Sequence, residues 1–338
     1  MSTGRFSRTH GGAARPDDGA DKRRLCGDRN PRVSTGRFRR THGGAARPDD
    51  GADKRRLGRV TLGDALALAT ARLAAAGVES ARLEAELLLA KACDDCARAL
   101  LYAELDRELT PEQEAAFAAQ VARREMREPL AYVLGEWGFR RLTLKTDRRA
   151  LIPRPETEIV VERALDHIRG FEEPQVLDVG TGTGAIALAI ADEVPRARVT
   201  AIDVSPDALA LARENLELTG VNGRVRLVEQ DLTSGLGNGD FDLVVSNPPY
   251  VEPHELLTLQ PEVRDWEPRI ALVASGATEK LAAAATEALR DGGWLVLETA
   301  AGAGERVERL LSELGFEDVT ITPDLAGRDR VAEGRWTG

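Results

Sequence analysis

From Val60 onward the apolar positions follow a helical period. Leu62, Leu66, Leu68 and Leu73, then Leu83, Leu87, Leu88 and Leu89, recur at helical spacing in Ala-rich sequence. The spacing predicts two helices divided at Gly77, with Glu79 or Ser80 opening the second. Thr110-Pro111-Glu112-Gln113 predicts the start of another helix, with an N-cap, proline at its first position and acids in its first turn, running to about Met126. Residues 59–128 therefore read as a small all-α domain. Between Trp137 and Thr146 the pattern changes to alternation, which predicts a strand pair. Ile152-Pro153-Arg154-Pro155 follows as a rigid extended linker, since each proline fixes its own φ and restricts the residue before it. The hairpin and linker together occupy 129–155.

A helix over Glu156–Ile168 opens a second domain, 156–338. From Pro174 short apolar runs alternate with helical stretches. Strands are expected at Gln175–Val179, Val199–Asp203, Val225–Glu229, Phe241–Ser246 and Trp294–Glu298. Helices are expected at Gly184–Glu193, Pro206–Thr219, Thr278–Arg290 and Gly304–Leu314. Two closing strands lie near Phe316–Thr322 and Arg330–Arg335. This rhythm is that of a doubly wound α/β domain with a mainly parallel sheet.

The first 58 residues lack any such pattern. Ser2 to Leu25 is repeated at Ser34 to Leu57, 32 residues on, and the copies differ only at Ser7 and its counterpart Arg39. Two nearly apolar-free copies cannot bury enough surface to offset their ordering entropy, so we expect a disordered basic tail. Translation of a duplicated upstream stretch would account for it, and its removal is expected to spare activity.

Charge sharpens this division. Residues 1–58 hold 15 Lys/Arg and 7 Asp/Glu, a net of +8, whereas the remainder holds 31 basic and 49 acidic residues, a net of −18. An acidic body argues against a large nucleic-acid partner and suits a partner with a basic surface. No apolar run reaches the ~18 residues that a membrane span requires, and the Arg-rich start is no secretory signal. Three cysteines make no disulfide framework, so a reduced cytoplasmic compartment is expected. Cys93-Asp-Asp-Cys96 lacks a second pair, and His10, His42, His167 and His254 have no partner pattern. No metal site is assigned.

The candidate chemistry lies at the strand ends. Asp178-Val-Gly180-Thr181-Gly182-Thr183-Gly184-Ala185 joins the first strand of the α/β domain to its first helix. Its glycines allow a sharp turn and close approach of backbone to a ligand. Gly180, Gly182 and Ala185 also satisfy a dinucleotide pattern. Asp203 ends the second strand, where a carboxylate accepts ribose hydroxyls of either NAD or S-adenosylmethionine. Asp231 after the third strand is placed to accept from an adenine amino group, with Leu232 packing on the ring. Asn247-Pro248-Pro249-Tyr250 ends the fourth strand and discriminates. The Asn247 side-chain oxygen and the Pro248 carbonyl form a two-acceptor fork for an –NH2 group, Pro249 rigidifies the turn, and Tyr250 stacks on a planar substrate. A dehydrogenase has no need of such a fork; methyl transfer to a planar nitrogen does.

These motifs resemble the class I S-adenosylmethionine-dependent methyltransferases. Arg127-Glu-Pro-Leu-Ala-Tyr-Val-Leu-Gly-Glu-Trp-Gly-Phe139, Leu151-Ile-Pro-Arg-Pro-Glu-Thr-Glu158, Leu259-Gln-Pro-Glu-Val-Arg-Asp-Trp-Glu-Pro268 and Asp324-Leu-Ala-Gly-Arg-Asp-Arg330 narrow the likeness. From Val60 to Arg335 the chain is similar to bacterial peptide chain release factor N5-glutamine methyltransferases. The resemblance implies a seven-stranded Rossmann-like domain and S-adenosyl-L-methionine held by Asp178, Gly180–Gly184, Asp203, Asp231, Leu232 and Asn247. It also implies a substrate glutamine in a Gly-Gly-Gln motif, held by Asn247 to Tyr250 beside Phe139, with the helical domain gripping the release factor. Where relatives often read Leu-Glu-Ile-Gly, this chain has Leu297-Glu298-Thr299-Ala300. The Asn-Pro-Pro-Tyr motif alone is shared with N-methyltransferases of rRNA and DNA, which stand as the alternative.

Overall fold

A computed structural model describes residues 60–94, 98–273 and 275–338. The duplicated segment, Cys96 and their expectations lie outside these residues.

The chain begins with α1 (Leu62–Ala75), α2 (Ala81–Ala92), α3 (Arg98–Ala103) and α4 (Pro111–Glu125). Thr61 caps α1 by accepting from the Asp64 N–H at 3.1 Å. Thr110 and Gln113 form a reciprocal capping box on α4, each side chain satisfying the other's backbone N–H at 3.2 Å. Ser80 stands at the start of α2, yet its hydroxyl makes no cap bond. Leu62, Leu66, Ala69 and Leu73 form one stripe of α1 and pack on Ala85, Leu88 and Leu89 of α2 and on Phe117 and Val121 of α4. Leu68 and Leu83 depart from expectation: they are 62 % and 42 % exposed. At 100° per residue each falls on the far side of its helix, and Ala69 and Ala85 fill the stripe in their place.

α5 (Leu130–Leu134), β1 (Glu136–Phe139) and β2 (Leu142–Lys145) follow, the strands pairing antiparallel. The α/β domain then runs α6 (Thr157–Ile168), β3 (Gln175–Val179), α7 (Ala185–Glu193), β4 (Arg198–Asp203), α8 (Pro206–Thr219), β5 (Val225–Glu229) and β6 (Phe241–Ser246). It continues with the short helices α9 (Pro261–Arg264) and α10 (Arg269–Leu272), then α11 (Ala277–Ala288), β7 (Leu289–Glu298), α12 (Gly304–Glu313), β8 (Phe316–Pro323) and β9 (Asp329–Trp336). The seven-stranded sheet has the order β5-β4-β3-β6-β7-β9-β8, and β9 runs antiparallel to both of its neighbours.

Both faces of the sheet are covered. Val176, Leu243, Val245 and Val296 pack with α6 and α7, whereas Leu177, Val244, Leu295 and Leu297 pack with α11 and α12. Burial on both sides explains why these strands read as continuous apolar runs rather than alternating ones. Arg290 belongs to β7 and not to the preceding helix, because Leu289 already pairs with Phe241. The strand order reverses direction at β3, so the ends of β3 and β6 open a crevice where such sheets bind ligands.

The helical domain is fastened to the rim of that crevice. Arg124, at the end of α4, bonds Glu84 at 2.5 Å and Glu262 of α9 at 2.8 Å. Arg127 grips the same Glu262 through two nitrogens, both at 2.7 Å. Among the described residues no helix is long and apolar enough to cross a membrane.

Candidate active site

The β3–α7 loop is shaped by three glycines. Gly180, Gly182 and Gly184 have φ of +74°, +56° and +84°, in the left-handed region that penalises a Cβ. The N–H groups of Gly180 and Thr181 donate to the Ile202 carbonyl at 2.9 and 3.0 Å. Beneath the loop, Asp178 is fully buried and accepts from the Thr181 hydroxyl at 2.6 Å and the Ala187 N–H at 3.2 Å. Burial pushes its carboxyl up to about 7. Asn215, a residue that the sequence did not single out, donates to the carbonyls of Thr183 and Lys145 and ties the loop to β2.

Asp203 closes the loop from the end of β4. One of its oxygens accepts from the Gly182 N–H and the other from the Ser205 N–H, both at 2.9 Å. Burial raises the Asp203 pKa above the usual carboxylate range. Ser205 caps α8 by accepting from the Ala208 N–H, which frees Asp203 from that task.

A cavity of about 330 Å³ opens above these groups, lined by Gly180, Gly182, Asp203, Asp231, Leu232 and Asn247 together with Ile270 and Lys280. A Cβ on Gly180 would meet no protein atom within 4 Å and would project into free space beside this cavity. Asp231 caps a short turn, one oxygen accepting from the Thr233 N–H and hydroxyl at 2.8 Å, and these bonds hold its carboxyl below its ordinary value. Its second oxygen takes no part in the cap. Asp178, Thr181, Thr183 and Gly184 are not on the cavity wall. They hold the loop from behind.

A second cavity, of about 170 Å³, lies on the other side of the fork and is lined by Arg154, Tyr250, Leu259 and Val263. The two cavities share Leu151, Asn247, Pro248, Pro249 and Ala271. Among the described residues, no donor is bonded to the Pro248 carbonyl. Asn247 Nδ2 donates to Thr157 Oγ1 at 3.2 Å, so the side-chain oxygen is the free end of the amide. The Tyr250 hydroxyl donates to Glu298 at 3.2 Å, and burial with that carboxylate raises the phenol's pKa and keeps it neutral. Arg154 is held by both oxygens of the buried Glu267 at 2.6 and 2.7 Å. Phe139 lies elsewhere, buried in the core with α6 and α7 and absent from either cavity wall.

Thr157, Glu298 and Arg154 were not read as site residues from the sequence. Glu298 had a signal: it ends β7, the strand paired with β6, and so stands at the same sheet edge as Asn247.

The glycine loop, the strand-end aspartates and the acceptor fork on this sheet define a class I S-adenosylmethionine-dependent methyltransferase. Residues 157–261 match the family model described as methyltransferase small domain, and residues 64–135 match the PrmC N-terminal domain. The release factor glutamine methyltransferase of Geobacter sulfurreducens is 45 % identical over 269 residues, covering 78 % of this chain and 92 % of the relative. That of Deinococcus radiodurans is 43 % identical over 283 residues, covering 82 % and 99 %. The chain belongs to the release factor glutamine methyltransferase family.

Proposed function

We propose that the protein transfers a methyl group from S-adenosylmethionine to the side-chain amide nitrogen of the Gly-Gly-Gln glutamine in peptide chain release factors. The observation that carries this reading is the pair of cavities that meet at Asn247-Pro248-Pro249. One suits a nucleoside, with Asp203 for the ribose and Asp231 and Leu232 for the base. The other is about half that volume and suits a single side chain.

When bound, S-adenosylmethionine supplies an electrophilic sulfonium methyl group. The chain's own residues solve the remaining difficulty, which is that an amide nitrogen is a poor nucleophile. The Asn247 side-chain oxygen and the Pro248 carbonyl each accept one N–H of the carboxamide. That grip fixes the nitrogen at the junction of the cavities, and positioning of this kind is worth up to ~7–11 kcal/mol. The same two oxygen dipoles favour positive charge that develops on nitrogen. Tyr250 flanks the planar amide with a ring whose hydroxyl is already bonded to Glu298. The product sheds one proton after transfer.

The release factor is the partner in this reading, the acidic body disfavours a nucleic-acid substrate, and the cytoplasm is the compartment where the factors act. Incubation of the full chain with labelled S-adenosylmethionine and, separately, purified release factor, rRNA and DNA tests it. Label is expected in the factor, on the glutamine. Label on nucleic acid with none on the factor would select the rRNA or DNA amine methyltransferase instead.

A further inference from the structure

Beneath the fork runs a continuous chain of hydrogen bonds. Asn247 Nδ2 donates to Thr157 Oγ1 at 3.2 Å, Thr157 Oγ1 donates to Glu298 Oε2 at 2.6 Å, and the Tyr250 hydroxyl donates to Glu298 Oε1 at 3.2 Å. Thr157 and Glu298 are buried, at 4 % and 1 % exposure, so water does not substitute for these partners. Burial raises the Glu298 pKa, while the Thr157 and Tyr250 hydroxyls and the nearby Arg330 charge favour the ionised form, in which it accepts and cannot donate. Both hydroxyls that face Glu298 must therefore aim their protons at it. Thr157 has one proton, and once it is spent on Glu298 the Thr157 oxygen can only accept. The group of Asn247 able to satisfy that oxygen is the –NH2. Which end of the Asn247 amide faces the cavities thus follows from the direction of the Thr157–Glu298 bond.

We propose that Thr157 and Glu298 are positioning residues that hold the Asn247 amide oxygen-outward. A reversed amide would aim N–H donors at the substrate –NH2 and offer it no acceptor. This inference rests on the reading of Asn247 as the acceptor for a carboxamide. Neither residue lines either cavity; Thr157 acts through Asn247, and Glu298 acts through Thr157 and Tyr250.

Two variants of one position separate hydrogen-bond order from packing. Thr157→Val keeps the shape and removes the hydroxyl, whereas Thr157→Ser keeps the hydroxyl and removes the methyl group. With the full chain, release factor and S-adenosylmethionine, kcat/KM for the factor should fall roughly 10–30-fold in Thr157→Val and stay within about threefold in Thr157→Ser. The Kd for S-adenosylmethionine, measured by calorimetry, should be unchanged in both. A packing role predicts the reverse ranking. Glu298→Gln, which gives the chain a donor where it had an acceptor, should lose activity like the valine variant with cofactor affinity intact. Wild-type rates in Thr157→Val or Glu298→Gln, or equal losses in Val and Ser, would overturn the proposal. The wild type is assayed alongside: no methylation of the factor by the wild type refutes the functional reading, whereas methylation undiminished in Thr157→Val refutes only the positioning role.

Discussion

The Asn247 amide has two ends of opposite polarity, and only its oxygen can receive an N–H from a bound carboxamide. Removing it should therefore affect transfer more than cofactor binding. Asn247→Ala is expected to lower kcat/KM for the release factor by about 100-fold or more, with the Kd for S-adenosylmethionine changed only slightly; steady-state kinetics beside calorimetry reads both. Asp178 plays a different part at the same scale. It is buried under the loop with one oxygen unpartnered, and its carboxyl is raised to about 7. A carboxyl with a raised folded pKa stabilises the fold most below its unfolded value and loses that contribution as pH climbs through the folded one. The wild type should thus lose stability relative to Asp178→Asn between pH ~4 and ~7, by up to about 4 kcal/mol. Urea unfolding of both proteins across that range checks it, and a constant difference would show that Asp178 does not titrate there.

At the scale of elements, the β3–α7 turn is where local sequence and site coincide. Gly184 opens α7 in the left-handed region, and a Cβ there would stand 3.0 Å from Leu188 Cδ1. Gly184→Ala should cost about 1–2 kcal/mol of stability and weaken cofactor affinity, because the loop cannot relax without moving Gly182 from Asp203. Denaturant midpoints and binding isotherms give the two readouts. Such elements were legible in the chain. The strand runs, the proline-led α8 and the N-cap and proline that open α4 each depend on neighbours a few residues apart. The short helices α5, α9 and α10 were not, since four- and five-residue segments carry too little periodicity to be read.

At the scale of the whole molecule, the helical domain and the second cavity are coupled through Glu262. This carboxylate accepts from both Arg124 and Arg127, while Val263, next to it, lines the cavity. Arg124 is almost wholly enclosed, so removal of its partner leaves a buried charge half-satisfied by Glu84. Glu262→Gln should lower stability by about 3 kcal/mol and raise KM for the release factor, with cofactor affinity unaltered. A KM equal to the wild type's would mean that the domain contact does not shape the cavity.

The sequence by itself determined the two domain types and the glycine turn, and placed Asp203 and Asn247-Pro248-Pro249-Tyr250 at strand ends. These are local patterns, set by which backbone conformations and hydrogen-bonding groups a short stretch can offer. Only the tertiary structure decided which end of the Asn247 amide is free, since Thr157, 90 residues away in the chain, takes its N–H and is itself held by Glu298, 141 residues from Thr157. It also moved Phe139 from the site into the core and set Asp178 and Thr183 behind the loop rather than on the cavity wall. The direction of a hydrogen bond is a property of a network closed through space, and no spacing along the chain encodes it.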